Sequence, residues 1–177
     1  KILKIMNRKH NISYYLEIIN KLKEANENIK FSSDFIIGYP GETENDFDET
    51  IKLMRKVEFI NSYSFIFSAR PGTPSAKMQK VDEDISKKRL IIFQKIAEEI
   101  KMKYRKNLLG KNRFVLFENK IPNKNQFFGR DEFSNSVIVK SEEDLKGKIR
   151  EVYIIDGNQN TLFGEYNTKI NEKEFAA

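Results

Sequence analysis

Apolar residues recur at helical spacing in three stretches of the first 110 residues of this 177-residue chain. The first stretch predicts an amphipathic helix over residues 12–25, with Ser13 as the candidate N-cap. Its apolar face, spaced i, i+3, i+4, i+7 and i+10, carries Ile12, Tyr15, Leu16, Ile19 and Leu22.

Two further helices are predicted downstream. Thr43 is the candidate N-cap of the second, which has an acidic first turn. The buried stripe predicted for this helix consists of Phe47, Ile51, Met54 and Val57. The third helix is long, covers residues 82–108 and ends before Gly110, a candidate C′ glycine. The stripe predicted for it consists of Phe93, Ala97, Ile100, Tyr104 and Leu108.

Two apolar runs between these helices, "KFSSDFIIG" and "SYSFIFSA", predict β-strands. Strands joined by a helix run parallel, so this part is predicted to be an α/β fold, either a doubly wound sheet or a barrel. Two strands alone leave both edges of a parallel sheet open. We therefore expect this part to belong to a larger sheet within a longer chain.

After Gly110 the pattern changes to short β segments separated by turn-forming stretches. The predicted strands are "KNRFVLFEN", "QFFGRD", "SVIVK", "GKIREVYIID" and "TLFGEY". Five such strands indicate a small closed or nearly closed barrel, because closure removes exposed edges. The predicted domains are therefore an α/β part at 1–108, a β-barrel at 109–167 and a polar tail at 168–177.

Polar residues on the two predicted parallel strands indicate a binding face. Strand alternation places Asp34 on the mixed side of the first strand, and Ser68 and Arg70 on that of the second. The opposite side of the second strand, with Tyr63 and Phe65, is expected to pack against helices. Because ligands bind at the carboxyl ends of parallel strands, we expect the polar residues to line a pocket there. Alternatively, Asp34 is a buried structural acid and Arg70 a surface turn residue.

Composition narrows the possible chemistry. The chain has no cysteine and one histidine, His10, so its own residues form no disulfide, thiolate metal site or cysteine nucleophile. No apolar run approaches the roughly 20 residues of a membrane-spanning helix, and the N-terminus lacks the apolar core of a signal peptide. We expect a cytoplasmic, monomeric protein with no membrane segment and no metal ligands of its own.

The formal charge of +6 is unevenly distributed. Residues 87–113 hold ten Lys or Arg against two Glu, whereas residues 109–177 hold eleven basic and eleven acidic side chains. A basic helix is ordinarily a solvated face, but it also suits phosphate binding. Likewise, Phe127 and Phe128 are typical of a barrel core and alternatively of a base-stacking platform. RNA binding therefore stays open at this point.

Three strings carry a more specific signal: "LKIMNRKH", "SSDFIIGYPGETENDFDETI" and "FIFSARPGTPSAKM". Together they resemble the C-terminal half of the radical S-adenosyl-L-methionine (SAM) methylthiotransferases, whereas "GYPGE" alone occurs widely among radical SAM enzymes. The resemblance continues into a C-terminal region similar to the TRAM domain, a small RNA-binding β-barrel. It implies the C-terminal part of a partial (β/α)6 TIM-like barrel followed by a small all-β TRAM barrel.

The resemblance also implies cofactors. Members of the family use SAM and two 4Fe-4S clusters, one held by a C-x3-C-x2-C motif and one by three further cysteines. None of these cysteines is present in this chain. Asp34, Gly38, Ser68 and Arg70 match the region where such barrels contact SAM. A carboxylate accepts hydrogen bonds from ribose hydroxyls or the methionine amino group, and an arginine pairs with the methionine carboxylate.

For the C-terminal barrel, the resemblance implies binding of the tRNA anticodon arm. Candidate phosphate contacts are Lys111, Arg113, Lys124 and Arg130. The candidate base-stacking residue is Phe127 or Phe128.

The implied activity is addition of a 2-methylthio group to N6-isopentenyladenosine beside the anticodon, with the sulfur donor and the catalytic residues left open. The chain by itself is expected to be inactive because it lacks the cluster cysteines. One alternative is a sister enzyme that modifies threonylcarbamoyladenosine in tRNA or an aspartate of a ribosomal protein, although "SARPGTP" favours the first activity. The other alternative is an RNA-binding module without catalysis.

Overall fold

The structure is a computed structural model that describes residues 1–166. The chain divides into two compact units, Lys1–Lys101 and Met102–Ala177. This division falls inside the long helix, a few residues ahead of the boundary predicted from the sequence. The predicted polar tail at 168–177 lies outside the described residues, as does Asn167, the last residue of the predicted barrel.

The elements before the barrel follow the predicted order of helix, strand, helix, strand and helix, with one short helix added at the start. They are α1 (Ile2–Ile5), α2 (Ile12–Ala25), β1 (Ser32–Ile37), α3 (Glu44–Val57), β2 (Asn61–Ile66), a 3-10 helix (Pro74–Lys77) and α4 (Glu83–Lys106). None of the helices within residues 1–166 combines the length and the apolar character needed to cross a membrane.

The helix caps agree with the sequence at α3 and differ at α2. Thr43 caps α3 in a capping box, since its side chain accepts from the Asp46 backbone N–H and its own N–H donates to the Asp46 carboxylate. The cap of α2 is Asn11, whose Oδ1 accepts from the Tyr14 N–H at 2.9 Å. The prediction of Ser13 is therefore wrong, because Ser13 lies inside the first turn, where its own N–H is one of the unpaired donors.

The core of the first unit lies between the sheet and the helices. The predicted stripe of α3 is confirmed, as are Phe93, Ala97 and Ile100 of the stripe predicted for α4. The other two residues of that stripe, Tyr104 and Leu108, pack in the core of the second unit, and Leu108 lies beyond the end of α4. On α2 only the middle of the predicted face is covered, since Ile12 and Leu22 are about two fifths exposed. The buried core residues are Ile19, Ile37, Phe47, Met54, Val57, Phe59, Phe93, Ile96 and Ile100.

β1 and β2 form a two-stranded parallel sheet, as predicted, but β2 presents the opposite face to the core. The register pairs Asp34 with Tyr63 and Ile36 with Phe65, and paired residues share a face of a sheet. Tyr63 and Phe65 are 63% and 58% exposed, so the prediction that they pack on helices is wrong. The core is filled instead by Phe59 and other residues outside β2, which leaves the aromatic side of the strand uncovered.

The second unit contains a closed five-stranded barrel, which confirms the architecture predicted for this part of the chain. Its strands are β3 (Asn112–Lys120), β4 (Gln126–Asp131), β5 (Ser136–Lys140), β6 (Ile149–Gly157) and β7 (Leu162–Glu165). The order around the barrel is β3-β4-β5-β7-β6, and β6 pairs with β3 to close it. All pairs are antiparallel except β5 with β7.

The barrel interior is filled by alternate residues of its strands together with the last turn before the barrel. The buried residues are Leu108, Val115, Phe117, Phe127, Val137, Val139, Leu145, Val152, Ile154 and Leu162. Gly110 adopts φ +74° and its N–H donates to the Ile154 carbonyl at 2.9 Å. Because α4 ends at Lys106, Gly110 is the residue that turns the chain into the barrel and not the predicted C′ residue of the helix.

Candidate functional site

The exposed face of the β1–β2 sheet carries one carboxylate among apolar and aromatic side chains. Asp34 and Ile36 of β1 lie beside Tyr63 and Phe65 of β2. Asp34 is exposed, so the alternative that it is a buried structural acid is wrong. A carboxylate next to aromatic rings suits a ligand that combines a planar ring with hydroxyl or ammonium donors.

The turn that follows β1 is held by its own glutamate. Gly38 adopts φ +72°, a conformation that favours glycine, and its N–H lies 3.2 Å from both carboxylate oxygens of Glu42. The Glu42 side chain is only 6% exposed. Its burial raises the pKa of Glu42, and the Gly38 N–H and the nearby Arg89 charge act in the opposite direction.

Arg89 of α4 joins this turn to the start of α3. Its Nη1 lies 2.8 Å from Glu42 Oε1 and its Nη2 lies 2.8 Å from Glu44 Oε2. The Arg89 side chain is 7% exposed, and its guanidinium carbon lies 5.6 Å from the centre of the Phe47 ring. A buried arginine that bridges two carboxylates restrains both of them.

The segment after β2 is tied to the same turn. The Phe67 N–H donates to the Ile37 carbonyl at 2.8 Å, and the Phe67 ring packs edge-on against Tyr39, with 4.9 Å between ring centres. The next two candidate residues, Ser68 and Arg70, are both exposed. Within residues 1–166 no hydrogen bond or ion pair joins either of them to Asp34, so these three side chains do not form a direct cluster.

The barrel places the neighbouring phenylalanines of β4 on opposite sides. Phe127 is 1% exposed in the barrel core, which corrects its prediction as a base-stacking residue. Phe128 faces outward, is half-buried and lies 5.6 Å from the Arg130 guanidinium carbon. Only one of two consecutive strand residues faces solvent, so Phe128 is the remaining stacking candidate.

The four predicted phosphate contacts differ in solvent exposure and in ion pairing. Lys111 and Lys124 are exposed. Arg130 is half-exposed and lies 3.5 Å from Glu118. Arg113 is only 16% exposed and lies 3.4 Å from Asp131 and 2.9 Å from Glu132. Its charge is already paired with these two acids, so Arg113 is poorly placed to bind phosphate.

Sequence reasoning missed two features of these sites. It assigned Tyr63 and Phe65 to the core because alternation alone does not state which side of a strand is covered. It also missed the contact between Glu42 and Arg89, residues that are 47 positions apart. No local pattern in the sequence links these two residues, because they come into contact only when α4 packs against the turn.

The described residues present no metal centre. No group of three or more His, Cys, Asp or Glu within residues 1–166 is arranged to hold a metal ion, and the whole sequence lacks cysteine. This chain therefore supplies no thiolate ligands for an iron–sulfur cluster.

Comparison with known proteins finds relatives that share one name. Residues 1–54 match the sequence profile of the Radical SAM superfamily. Over 173 residues, 98% of this chain, the sequence is 49% identical to the tRNA-2-methylthio-N(6)-dimethylallyladenosine synthase of Pelagibacter ubique (strain HTCC1062). Proteins with the same name from Wolbachia pipientis wMel and Rickettsia canadensis (strain McKiel) are each 41% identical, over 93% and 95% of this chain.

The match covers almost all of this chain but only part of each relative. The chain spans 39% of the Pelagibacter protein and 38% of the other two. The agreement begins in the α/β part, where the superfamily profile lies, and continues through the barrel. By sequence, the chain is therefore homologous to one part of the tRNA methylthiotransferases that it matches, and the radical SAM profile lies within that part.

Proposed function

We propose that this chain forms part of a tRNA methylthiotransferase that adds a 2-methylthio group to N6-isopentenyladenosine beside the anticodon. The observation that carries the proposal is the 49% identity over 98% of the chain to a relative named for that reaction. Similarity of this extent includes the exposed strand face, the turn after β1 and the barrel together. It is therefore not limited to a motif shared by the wider superfamily.

The exposed face of the β1–β2 sheet fits SAM. The carboxylate of Asp34 is available to accept hydrogen bonds from ribose hydroxyls or from the methionine ammonium group. Phe65 and Tyr63 offer aromatic surface next to it, and the exposed guanidinium of Arg70 suits the methionine carboxylate. SAM, when bound, supplies the radical chemistry and the transferred methyl group, and this chain's residues orient it.

The iron–sulfur clusters of the family do not fit this chain. Cluster ligation needs thiolates, and the sequence has none. In a full-length protein the cluster ligands would therefore come from residues outside these 177. We accordingly assign this chain no step that depends on a cluster, and we expect it to be inactive alone.

The two units have separate places in this proposal. The parallel pair β1–β2 with its helices represents the last third of a partial (β/α)6 barrel, whose remaining strands would continue the open sheet. The closed five-stranded barrel acts as a TRAM-like module that binds the anticodon arm. Its exposed cations Lys111 and Lys124, with Arg130 beside Phe128, support phosphate binding and base stacking.

The proposal is tested by mass spectrometry of tRNA from cells that lack the full gene. We expect the 2-methylthio group to disappear only from isopentenylated adenosine, and expression of the intact gene to restore it. Complementation with Asp34→Asn should fail, whereas Asp48→Asn, an exposed acid on α3, should restore the modification.

The outcome of this experiment separates the alternatives. Loss of the 2-methylthio group from threonylcarbamoyladenosine instead would identify a sister enzyme. Unchanged tRNA together with loss of a ribosomal-protein modification would identify the other sister activity. Unchanged tRNA and unchanged ribosomal proteins would leave RNA binding without catalysis and overturn the proposal.

A further inference from the structure

We infer that Arg89 and Ser86 of α4 are positioning residues for the SAM site, because they hold the turn Gly38–Glu42 at the end of β1. This inference rests on the proposed function, since the turn leads directly from the strand that carries Asp34. Neither residue is placed to touch SAM, because Arg89 is 6% and Ser86 is 3% exposed. Both act on the ligand through the turn.

Ser86 packs directly against the first residue of the turn. A Cβ atom added to Gly38 would lie 2.9 Å from Ser86 Cβ and closer still to Ser86 Oγ. The left-handed conformation of Gly38, at φ +72°, thus coincides with a contact that leaves no room for a side chain. Through Ser86, α4 therefore contacts the chain directly after the end of β1.

Arg89 holds the last residue of the turn from the same face of α4, one helical turn after Ser86. Its Nη1 bonds to Glu42 Oε1 at 2.8 Å and also approaches the Glu42 carbonyl at 3.3 Å. The carboxylate of Glu42 in turn accepts the Gly38 N–H. Arg89, Glu42 and Gly38 form one buried chain of charge-assisted hydrogen bonds, and such bonds restrain geometry more strongly than neutral ones.

The restraint reaches the ends of both parallel strands. Tyr39, inside the turn, packs against Phe67, and Phe67 precedes Ser68 and Arg70. A displacement of the turn would therefore shift the carboxyl end of β1 and the segment that carries two further SAM candidates. A misplacement of about 1 Å caused by a change away from the reacting atoms can cost on the order of 100-fold in activity.

The two ion pairs of Arg89 require an arginine at this position. One guanidinium reaches two carboxylates, Glu42 and Glu44, each at 2.8 Å. Lysine is a single point charge and cannot bridge both with the same geometry. Arg89→Lys therefore keeps a positive charge but loosens the turn. Glu42→Gln keeps the shape and loses the charge, so it weakens the same bonds from the other side.

The test uses the full-length protein with its clusters and measures SAM binding by equilibrium dialysis, well below the unfolding temperature. We expect Arg89→Lys and Glu42→Gln each to raise the Kd for SAM about tenfold or more, with an unchanged Kd for a tRNA anticodon stem-loop. Exchange of the Gly38 amide hydrogen should become faster in both variants. Arg55→Lys, at an exposed position of α3, is the matched control and should change none of these values.

Each outcome is decisive. Variants that unfold at lower temperature but bind SAM with the wild-type Kd would overturn the inference, because Arg89 would then only stabilise the fold. If Arg89→Lys fails to fold, Glu42→Gln decides alone by the same criterion. Absence of SAM binding in the wild-type protein would overturn the proposed function and this inference together, which distinguishes it from a failure of the variants.

Discussion

Asp34 of β1 and Tyr63 of β2 are cross-strand partners in the parallel sheet, and both side chains are exposed on the same face. The carboxylate therefore stands beside aromatic surface at a position where a ligand can reach both. Neither residue is needed to fill the core. Substitution of either residue is therefore expected to change ligand binding without changing the stability of the fold.

Asp34→Asn should lower SAM affinity in the full-length protein without lowering stability. Charge-assisted hydrogen bonds contribute about 1.5–3 kcal/mol, so we expect the Kd to rise about tenfold or more. Isothermal titration with SAM measures the effect, and Asp48→Asn is the matched control on the exposed surface of α3. An unchanged Kd in Asp34→Asn would reject its role as a ligand.

Tyr63→Ala and Phe65→Ala should leave the free energy of unfolding within about 0.5 kcal/mol of wild type, since both rings are largely exposed. Phe93→Ala, in the core, should cost about 3–5 kcal/mol. Urea unfolding followed by circular dichroism checks all three. A large loss in Tyr63→Ala would mean that this face of the sheet is covered in solution.

The capping box of α3 gives a prediction with a pH dependence. Thr43→Ala should cost about 1 kcal/mol at pH 7, because Thr43 Oγ1 accepts the Asp46 N–H at 3.2 Å and donates to the carboxylate at 2.7 Å. The Thr43 backbone N–H and hydroxyl lower the pKa of Asp46 below its ordinary value of 3.8. The stability that this shift contributes is present above that value and is lost as pH falls through the lowered pKa.

The difference between wild type and Thr43→Ala should therefore narrow below about pH 4, where Asp46 takes up a proton in the unfolded and then in the folded chain. Urea unfolding at pH 7 and at pH 3 measures this difference in the free energy of unfolding. Thr50→Ala, in the interior of the same helix, is the control and should be neutral or stabilising, because alanine has the higher helix propensity. A difference that stays constant with pH would exclude the carboxylate as its source.

Most elements could be predicted because their signals are local. The Thr43 cap and the five barrel segments were each visible within a few residues. The uncovered face of β2 was not predictable, since alternation defines two sides and the core decides between them. The ion pairs of Arg89 with Glu42 and of Arg113 with Asp131 connect distant positions, so only the fold shows that these charges are already paired.

Gly129 in β4 tests the close packing of the barrel. A Cβ atom added there would collide with the Leu116 carbonyl oxygen and lie 2.8 Å from Val115 Cγ1, so Gly129→Ala should cost about 1–3 kcal/mol. Gly147→Ala is the comparison: its φ is +76° but no atom lies within 4 Å, so only backbone strain of about 1 kcal/mol is expected. Thermal unfolding of the barrel measures both. A smaller loss at Gly129 than at Gly147 would contradict this packing.

RNA binding by the barrel should be electrostatic and should depend on the cations that remain unpaired by nearby acids. Affinity for an anticodon stem-loop RNA should fall steeply with salt, and Lys111→Ala and Lys124→Ala should each reduce the slope of log K against log salt by about 1.

Arg113→Ala should leave that slope unchanged and lower stability, because Asp131 and Glu132 lose their partner. Lys21→Ala, whose exposed side chain pairs with Glu17 on α2, is the control. Salt-independent affinity would reject the phosphate contacts, and a reduced slope in Arg113→Ala would return that residue to the RNA-binding set.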